Sequence, residues 1–482
     1  MQQRLKSLFG AQDLTIGSPM RKLIRFSLPL LLGNMAQQMY STVDAIVVGR
    51  YVGDGGLAAI GATMPVIQML LILFMAISTG ASVLVSQNFG ARAYERLNRV
   101  ISNAIVLIIA SSLLIMAIAI PLAGPLMRLV RTPENILAMS TSYMQILFIG
   151  LLGSAFYNII SGILRGLGDS LTPLLILLLT TFMNTVLDLY FVAVLHWGVE
   201  GAAWATILSQ AVSATLCLYQ LSRVRGIPRL RLANLRPDFH EIANLLRIGL
   251  PAGLTQAIFS LAMITVQALT NSMGSTVVAA NTAVIRIDGF AMMPNFTLGM
   301  AVMTFVGQNL GAGRMDRVDQ GTKAAVRLGL TMSTTLTLLV LLFGPQLLHV
   351  FTETRTVIDL GTGMMRILAV GYIMMSLNQV FGSVMRGAGD TMPALWISII
   401  TTVIIRVPTA YTLAHLTRST DWPNGHPFSL SVSLLVSWSL GALIQYLVYR
   451  RGRWRTLSLV RPQLQVEDAK AVPATVEIDA GL

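Results

Sequence analysis

LAAIGATMPVIQMLLILFMAISTGASVLV, residues 57–85, runs for 29 residues without a charged side chain. A helix rises about 1.5 Å per residue and the hydrocarbon core of a bilayer is about 30 Å thick, so roughly 20 apolar residues cross it. Residues 23–49, 100–123 and 171–195 reach that length too. Soluble domains carry about 25% charged residues. This chain of 482 residues carries 11%, against 54% hydrophobic, at a mean hydropathy of +0.69. The apolar residues come in runs rather than in stripes, so the fold class is all-α integral membrane, with the lipid bilayer as the obligatory partner. The first run is too long for a signal core and is expected to stay as the first helix.

Apolar runs and turn signals place twelve transmembrane helices at 23–50, 57–86, 100–122, 136–159, 171–195, 200–222, 242–273, 278–307, 322–348, 361–385, 392–416 and 428–450. An even count puts both termini on one side, and the basic residues choose it. Arg4, Lys6, Arg21 and Lys22 precede the first span, and Arg92, Arg96 and Arg99 follow the second. Arg223, Arg225, Arg229, Arg231 and Arg236 follow the sixth, Arg314, Arg317 and Lys323 the eighth, and Arg450, Arg451, Arg453 and Arg455 the twelfth. The positive-inside rule makes both termini cytoplasmic, for a multi-pass protein of the cell (inner) membrane. The net charge of +13 therefore orients the chain. No Lys/Arg tract is interleaved with aromatics, so nucleic acid is not an expected partner. Cys217 is the only cysteine, which excludes an internal disulfide and a thiolate metal cluster.

The halves repeat at an offset of about 221 residues. RFSLPL from Arg25 answers RIGLPA from Arg247, SQNFGA from Ser86 answers GQNLGA from Gly307, and LRGLGDS from Leu164 answers MRGAGDT from Met385. Each pair falls on the same side of the membrane, so the repeat is parallel: two six-helix lobes related by a pseudo-twofold axis along the membrane normal. The expected organisation is a cytoplasmic segment at 1–22, an N-lobe at 23–222, a linker at 223–241, a C-lobe at 242–450 and a polar cytoplasmic tail at 451–482.

Ionisable residues in lipid persist where they face a cavity, a partner or an ion, since they cost about 2.5–3.5 kcal/mol each on insertion scales. Of 21 acidic residues, Asp44, Asp188 and Asp288 lie well inside spans. Counted from their helix ends, Asp44, Asp188 and Thr206 sit at one depth, about 10 Å below the outer interface, with Asn184 one turn deeper on the face of Asp188. Two carboxylates, an amide and a hydroxyl supply hard oxygen ligands for a small cation such as Na⁺; alternatively the two carboxylates share one proton. The competing reading is hydrogen bonding that merely glues helices together.

The paired QN-x-G-A and R-G-x-G-D segments, with Pro29 early in the first span, resemble the multidrug and toxic compound extrusion (MATE) family along nearly the whole chain. The resemblance implies two six-helix lobes in a V, a cavity between them, and export of amphipathic compounds driven by Na⁺ or H⁺. It places a cation or proton site at Asp44, Asn184, Asp188 and Thr206, with Tyr143 on the fourth span as a neighbour, in the branch with a first-helix aspartate. Another branch carries carboxylates in its seventh and tenth spans, which this chain lacks. Asp288 either substitutes for them or pairs with Arg406 or Arg286.

Pro29 permits a bend in the helix that carries Asp44. Gln87–Asn88 and Gln308–Asn309 are expected to cap helix C-termini, and Arg165–Asp169 and Arg386–Asp390 to form loop ion pairs. Gln256, Asn378 and Met292 are candidate cavity residues, as are Met183, Met293 and Phe290, because Met repacks easily; core packing is the competing reading for each Met. No G-x-x-x-x-G-K-[ST] segment cradles ATP, and no nucleophile–base or metal-binding motif points to an enzyme. The expected function is secondary antiport: a monomer exporting drug-like cationic amphiphiles in exchange for Na⁺ or H⁺, with no cofactor. The rival within transport is a lipid-linked saccharide flippase, for which Arg286 and Arg406 are the candidate phosphate-holding cations.

Overall fold

The computed structural model describes residues 12–224 and 236–457. Arg4, Lys6, the linker arginines 225, 229 and 231, and the tail beyond 457 lie outside the described residues. Regular structure among the described residues is helical throughout. In chain order it comprises α1 (Pro19–Tyr51), α2 (Asp54–Gly90), α3 (Tyr94–Leu129), α4 (Glu134–Ile149), α5 (Leu151–Gly166), α6 (Leu171–Asp188) and α7 (Gly198–Ser222). There follow α8 (Phe239–Ser272), α9 (Ser275–Gly311), α10 (Met315–His349), α11 (Arg355–Gly387), α12 (Met392–Ser398), α13 (Val407–Leu416) and α14 (Phe428–Arg451). Two π-helical stretches, Leu189–Val194 after α6 and Ile399–Arg406 between α12 and α13, continue their spans.

Ten helices are long and apolar enough to cross a bilayer, and α4 with α5, bent by 50°, make an eleventh span. α1, at 33 residues, is as long as these, but Asn34, Gln37, Gln38 and Asp44 dilute its apolar character. With it the chain has its twelve crossings.

The chain folds as two compact units. Unit 1 includes Leu28–Leu250; unit 2 includes Thr15–Ser27 and Pro251–Leu459. The chain therefore changes unit inside α1 and inside α8, at Leu28 and at Pro251, rather than at the cytoplasmic helix ends. Pro29 and Pro251 are equivalent positions of the repeat, and each withdraws one intrahelical hydrogen bond at the crossover.

The duplicated motifs prove to be matched helix stops. After α5, Asp169 N–H donates to Leu164 O at 2.8 Å; after α11, Asp390 N–H donates to Met385 O at 2.9 Å. Both turns place a glycine, Gly168 (φ 88°) and Gly389 (φ 87°), in the left-handed region where a side chain is strained. The QN segments close α2 and α9 with the same backbone bond, Ala93 N–H to Asn88 O at 3.0 Å and Arg314 N–H to Asn309 O at 2.8 Å, with Arg92 (φ 55°) and Gly313 (φ 70°) in the left-handed position. The Asn side chains serve their own last turns, Asn88 donating to Leu84 O and Asn309 to Phe305 O, both at 2.8 Å. Backbone groups thus close these helices, and the amides brace the turn above.

The expected ion pairs do not form among the described residues. Asp169 instead starts α6, accepting from Thr172 N–H at 3.0 Å and Thr172 Oγ1 at 2.6 Å, while Arg386 donates to Ser383 Oγ at 2.7 Å. The turn swings the aspartate towards the next helix N-terminus, where its charge is welcome. Burial raises the Asp169 carboxyl above the usual carboxylate range, opposed by the two Thr172 donors. Thr172→Val removes one of those donors from a buried acceptor, so a loss of about 1–3 kcal/mol is expected, read as a lower melting temperature of the purified protein.

Candidate coupling site

In unit 1 an apolar cluster that includes Val47, Val48, Tyr143, Ile146, Val192 and Ile207 joins the same elements that carry the buried polar groups. α1 brings Asp44, α6 brings Asn184 and Asp188, α4 brings Tyr143 and α7 brings Thr206. Asp188 is the last α-helical residue before the π-helical stretch, and Val192 within that stretch is buried in the cluster. The widened turns place the end of α6 against the apolar wall while leaving the carboxyl beside α1; π turns recur at functional sites for this kind of re-aiming.

Asp44 is 7% exposed and Asp188 0%. Their carboxyls lie within hydrogen-bonding reach of each other. One oxygen of Asp44 and both oxygens of Asp188 are sealed and receive no donor from another residue. Asn184, equally buried, holds its side-chain N–H₂ without an acceptor. Tyr40 donates its hydroxyl to Thr206 Oγ1 at 3.3 Å, and Tyr143 lies beside both carboxyls and Tyr40. Of the sequence-based set, Asp44, Asp188 and Tyr143 come together, with Thr206 linked to them through Tyr40; Asn184 sits one turn below Asp188.

Sequence reading missed Tyr40. Its signal was there: it precedes Asp44 by one helical turn and so shares its face.

The chemistry of this group is an excess of acceptors. Each buried polar atom left unmet costs about 1–3 kcal/mol, and two adjacent carboxylates in low dielectric repel as well. One added positive charge, a proton or a small cation, relieves both. Among the described residues no group of three or more His, Cys, Asp or Glu is gathered to hold a metal ion.

The second-lobe candidates separate. Asp288 pairs with neither Arg406 nor Arg286 among the described residues; it accepts a hydrogen bond from Tyr372 of α11. Tyr372, which sequence reading did not single out, stacks obliquely near Trp438. Met292 is not a cavity residue here: it is 7% exposed inside the unit 2 core, which its position on α9 turns inward. Gln256 is exposed and Asn378 is half-buried, its amide packed over Gly441. Phe290 is exposed, and Met183 and Met293 are half-buried.

Comparison with known proteins agrees with this architecture. YoeA of Bacillus subtilis, a probable multidrug resistance protein, is 30% identical over 427 residues, covering 86% of this chain and 92% of its own. YpnP of the same organism, likewise a probable multidrug resistance protein, is 29% identical over 454 residues, covering 93% and 99%. A crystal structure of MATE in the bent conformation superimposes with a TM-score of 0.85 at 25% identity, covering 92% of this chain and 97% of that one. The MatE family pattern matches residues 29–190 and 251–412. Each match opens on the proline beside which the chain changes unit. The two matches span more than half of the sequence, so this chain belongs to the MatE family and is a membrane transporter rather than an enzyme.

Proposed function

We propose that the protein is a multidrug efflux antiporter that exports cationic amphipathic compounds in exchange for Na⁺ or H⁺, bound at Asp44 and Asp188. The observation that carries this is the buried pair of carboxyls whose sealed oxygens receive no donor from the protein. Such a pair is unstable alone and stable with one cation, so its occupancy can follow an ion gradient. A gradient supplies about 2.3 kcal/mol per charge per 100 mV. Coupling then needs the ion to bind one transport state better than the other. Pro29 provides the means, since the helix it weakens carries Asp44, and a solved relative is described in a bent conformation. The names of the relatives support drug-like cargo, and the basic loops support cytoplasmic termini.

The test is flux. The purified protein in liposomes, loaded with a fluorescent cationic dye, is expected to move dye when a Na⁺ or a pH gradient is imposed and to stop when the gradient is collapsed. Dye movement indifferent to both gradients would remove the antiport reading.

A further inference from the structure

Arg406 closes the π-helical stretch Ile399–Arg406 of unit 2. Its span, Met392–Leu416, ends ten residues further on, roughly 15 Å away at the rise of a helix. That is farther than an arginine stem snorkels, so the guanidinium stays at hydrocarbon depth. Arg406 is half-buried, its Nε is sealed without an acceptor, and it has no hydrogen bond or ion pair among the described residues. Asp288, the acidic residue deepest in a span of this unit, is held by Tyr372 instead.

A second orphan lies beside it. Thr402, 1% exposed, has its hydroxyl sealed with no partner. The adjacent Thr401 behaves as most helix threonines do, donating to Ile397 O at 2.8 Å. Arg406 and Thr402 are four residues apart on one widened turn and so lie on one side of it. The other copy of the repeat has Thr185 in place of Arg406, its hydroxyl satisfied by Thr181 O at 3.0 Å, and Thr181 in place of Thr402, its own hydroxyl sealed without a partner as that of Thr402 is. The cation is therefore peculiar to unit 2.

A lone guanidinium in lipid is retained where something compensates it. Two donors without an acceptor call for anionic oxygen, and Arg suits phosphate and carboxylate better than any other side chain. We propose that Arg406 and Thr402 form an anion-recognition site that takes a phosphate or carboxylate of an amphipathic substrate. The site rests on the transport reading above but widens its cargo, from cations to compounds that join an apolar body to an anionic group.

Riboflavin and flavin mononucleotide test it, since they share one ring system and differ by a phosphate. Full-length protein in phosphate-free dodecyl maltoside is titrated against each, with flavin fluorescence as the signal. The wild type is expected to bind the mononucleotide about tenfold or more tighter, the scale of one charge-assisted contact. Arg406→Gln should erase that preference by weakening the mononucleotide alone, and Arg406→Lys should keep part of it. Thr402→Val, which leaves the charge in place, should reduce it several-fold and serves if Arg406→Gln does not fold. Equal wild-type binding of the two flavins, or a preference that survives Arg406→Gln, overturns the site.

Added phosphatidylglycerol separates the sources of phosphate. If it leaves flavin binding unchanged, the site belongs to soluble substrate; if it competes, the anion site stands and its occupant is lipid. Gradient-driven dye flux, measured in parallel, keeps the two readings apart. Flux without flavin preference sinks the anion site alone, and preference without flux sinks antiport alone.

Discussion

Asp188→Asn is expected to stop gradient-driven efflux, with dye flux from proteoliposomes falling about a hundredfold or more, to the level of empty liposomes. The amide has nearly the shape of the carboxyl and cannot take up a proton or offer a full charge to a cation. It can also donate to the facing Asp44 carboxyl, which is within hydrogen-bonding reach. That bond supplies from within the protein what the coupling ion would otherwise bring. The site then no longer distinguishes loaded from empty, and without a difference in affinity between states there is no coupling. Asp44→Asn should act in the same way.

Stability should move in the opposite direction. Relieving two buried, repelling acids removes a strain that only a bound cation offsets, so both variants are expected to melt at or above the wild-type temperature. A misfolded variant would melt lower, which keeps loss of function distinct from loss of structure. Wild-type flux from both variants would mean that the carboxyls are glue between helices.

Much of this was legible because a bilayer restricts what a sequence can do. Span positions follow from apolar length, and α1 reads least clearly because Asn34, Gln37, Gln38 and Asp44 interrupt its apolar run, the last of them a residue of the site. Depth counting grouped Asp44, Asp188 and Thr206, since rise per residue is fixed whatever the packing. Rotation about the helix axis is not fixed in that way. The partner of Asp288 depends on which face of α11 is presented to α9, and sequence reading offered two arginines where the structure has Tyr372. The R-G-x-G-D motifs misled for a related reason. Charge proximity along the chain suggested ion pairs, but the turn at Gly168 carries Asp169 to the start of α6, and Arg386 is taken up by Ser383. Arg406 was seen as a cation, while its isolation became visible only with its neighbours placed.

Gly249→Val should lower thermal stability by about 1–3 kcal/mol or more, with a matching fall in the monodisperse fraction of purified protein. α8 opens in unit 1 with Asp238 accepting from His240 N–H at 2.9 Å and donating its own N–H to Asn103 at 2.7 Å. Arg96 of α3 then holds Glu241 at 3.0 Å. About one to two turns later, from Leu245 to Gly249, the backbones of α8 and α2 meet. A Cβ on Gly249 would press against the Ala76 carbonyl, 2.9 Å from its carbon, and one on Gly80 against the Leu245 carbonyl, 3.2 Å from Gly249 N. Backbone cannot swing aside as a side chain does, so the helices must part, and in lipid close packing is most of what holds them. Two residues beyond Gly249, at Pro251, the chain leaves unit 1. Gly61→Ala on α2, where a Cβ meets nothing within 4 Å, should be neutral or slightly stabilising through helix propensity. Gly80→Val should match Gly249→Val, and the double variant should cost less than the sum, because the second valine enters a crossing already opened. Full additivity would show that the two glycines do not share one crossing.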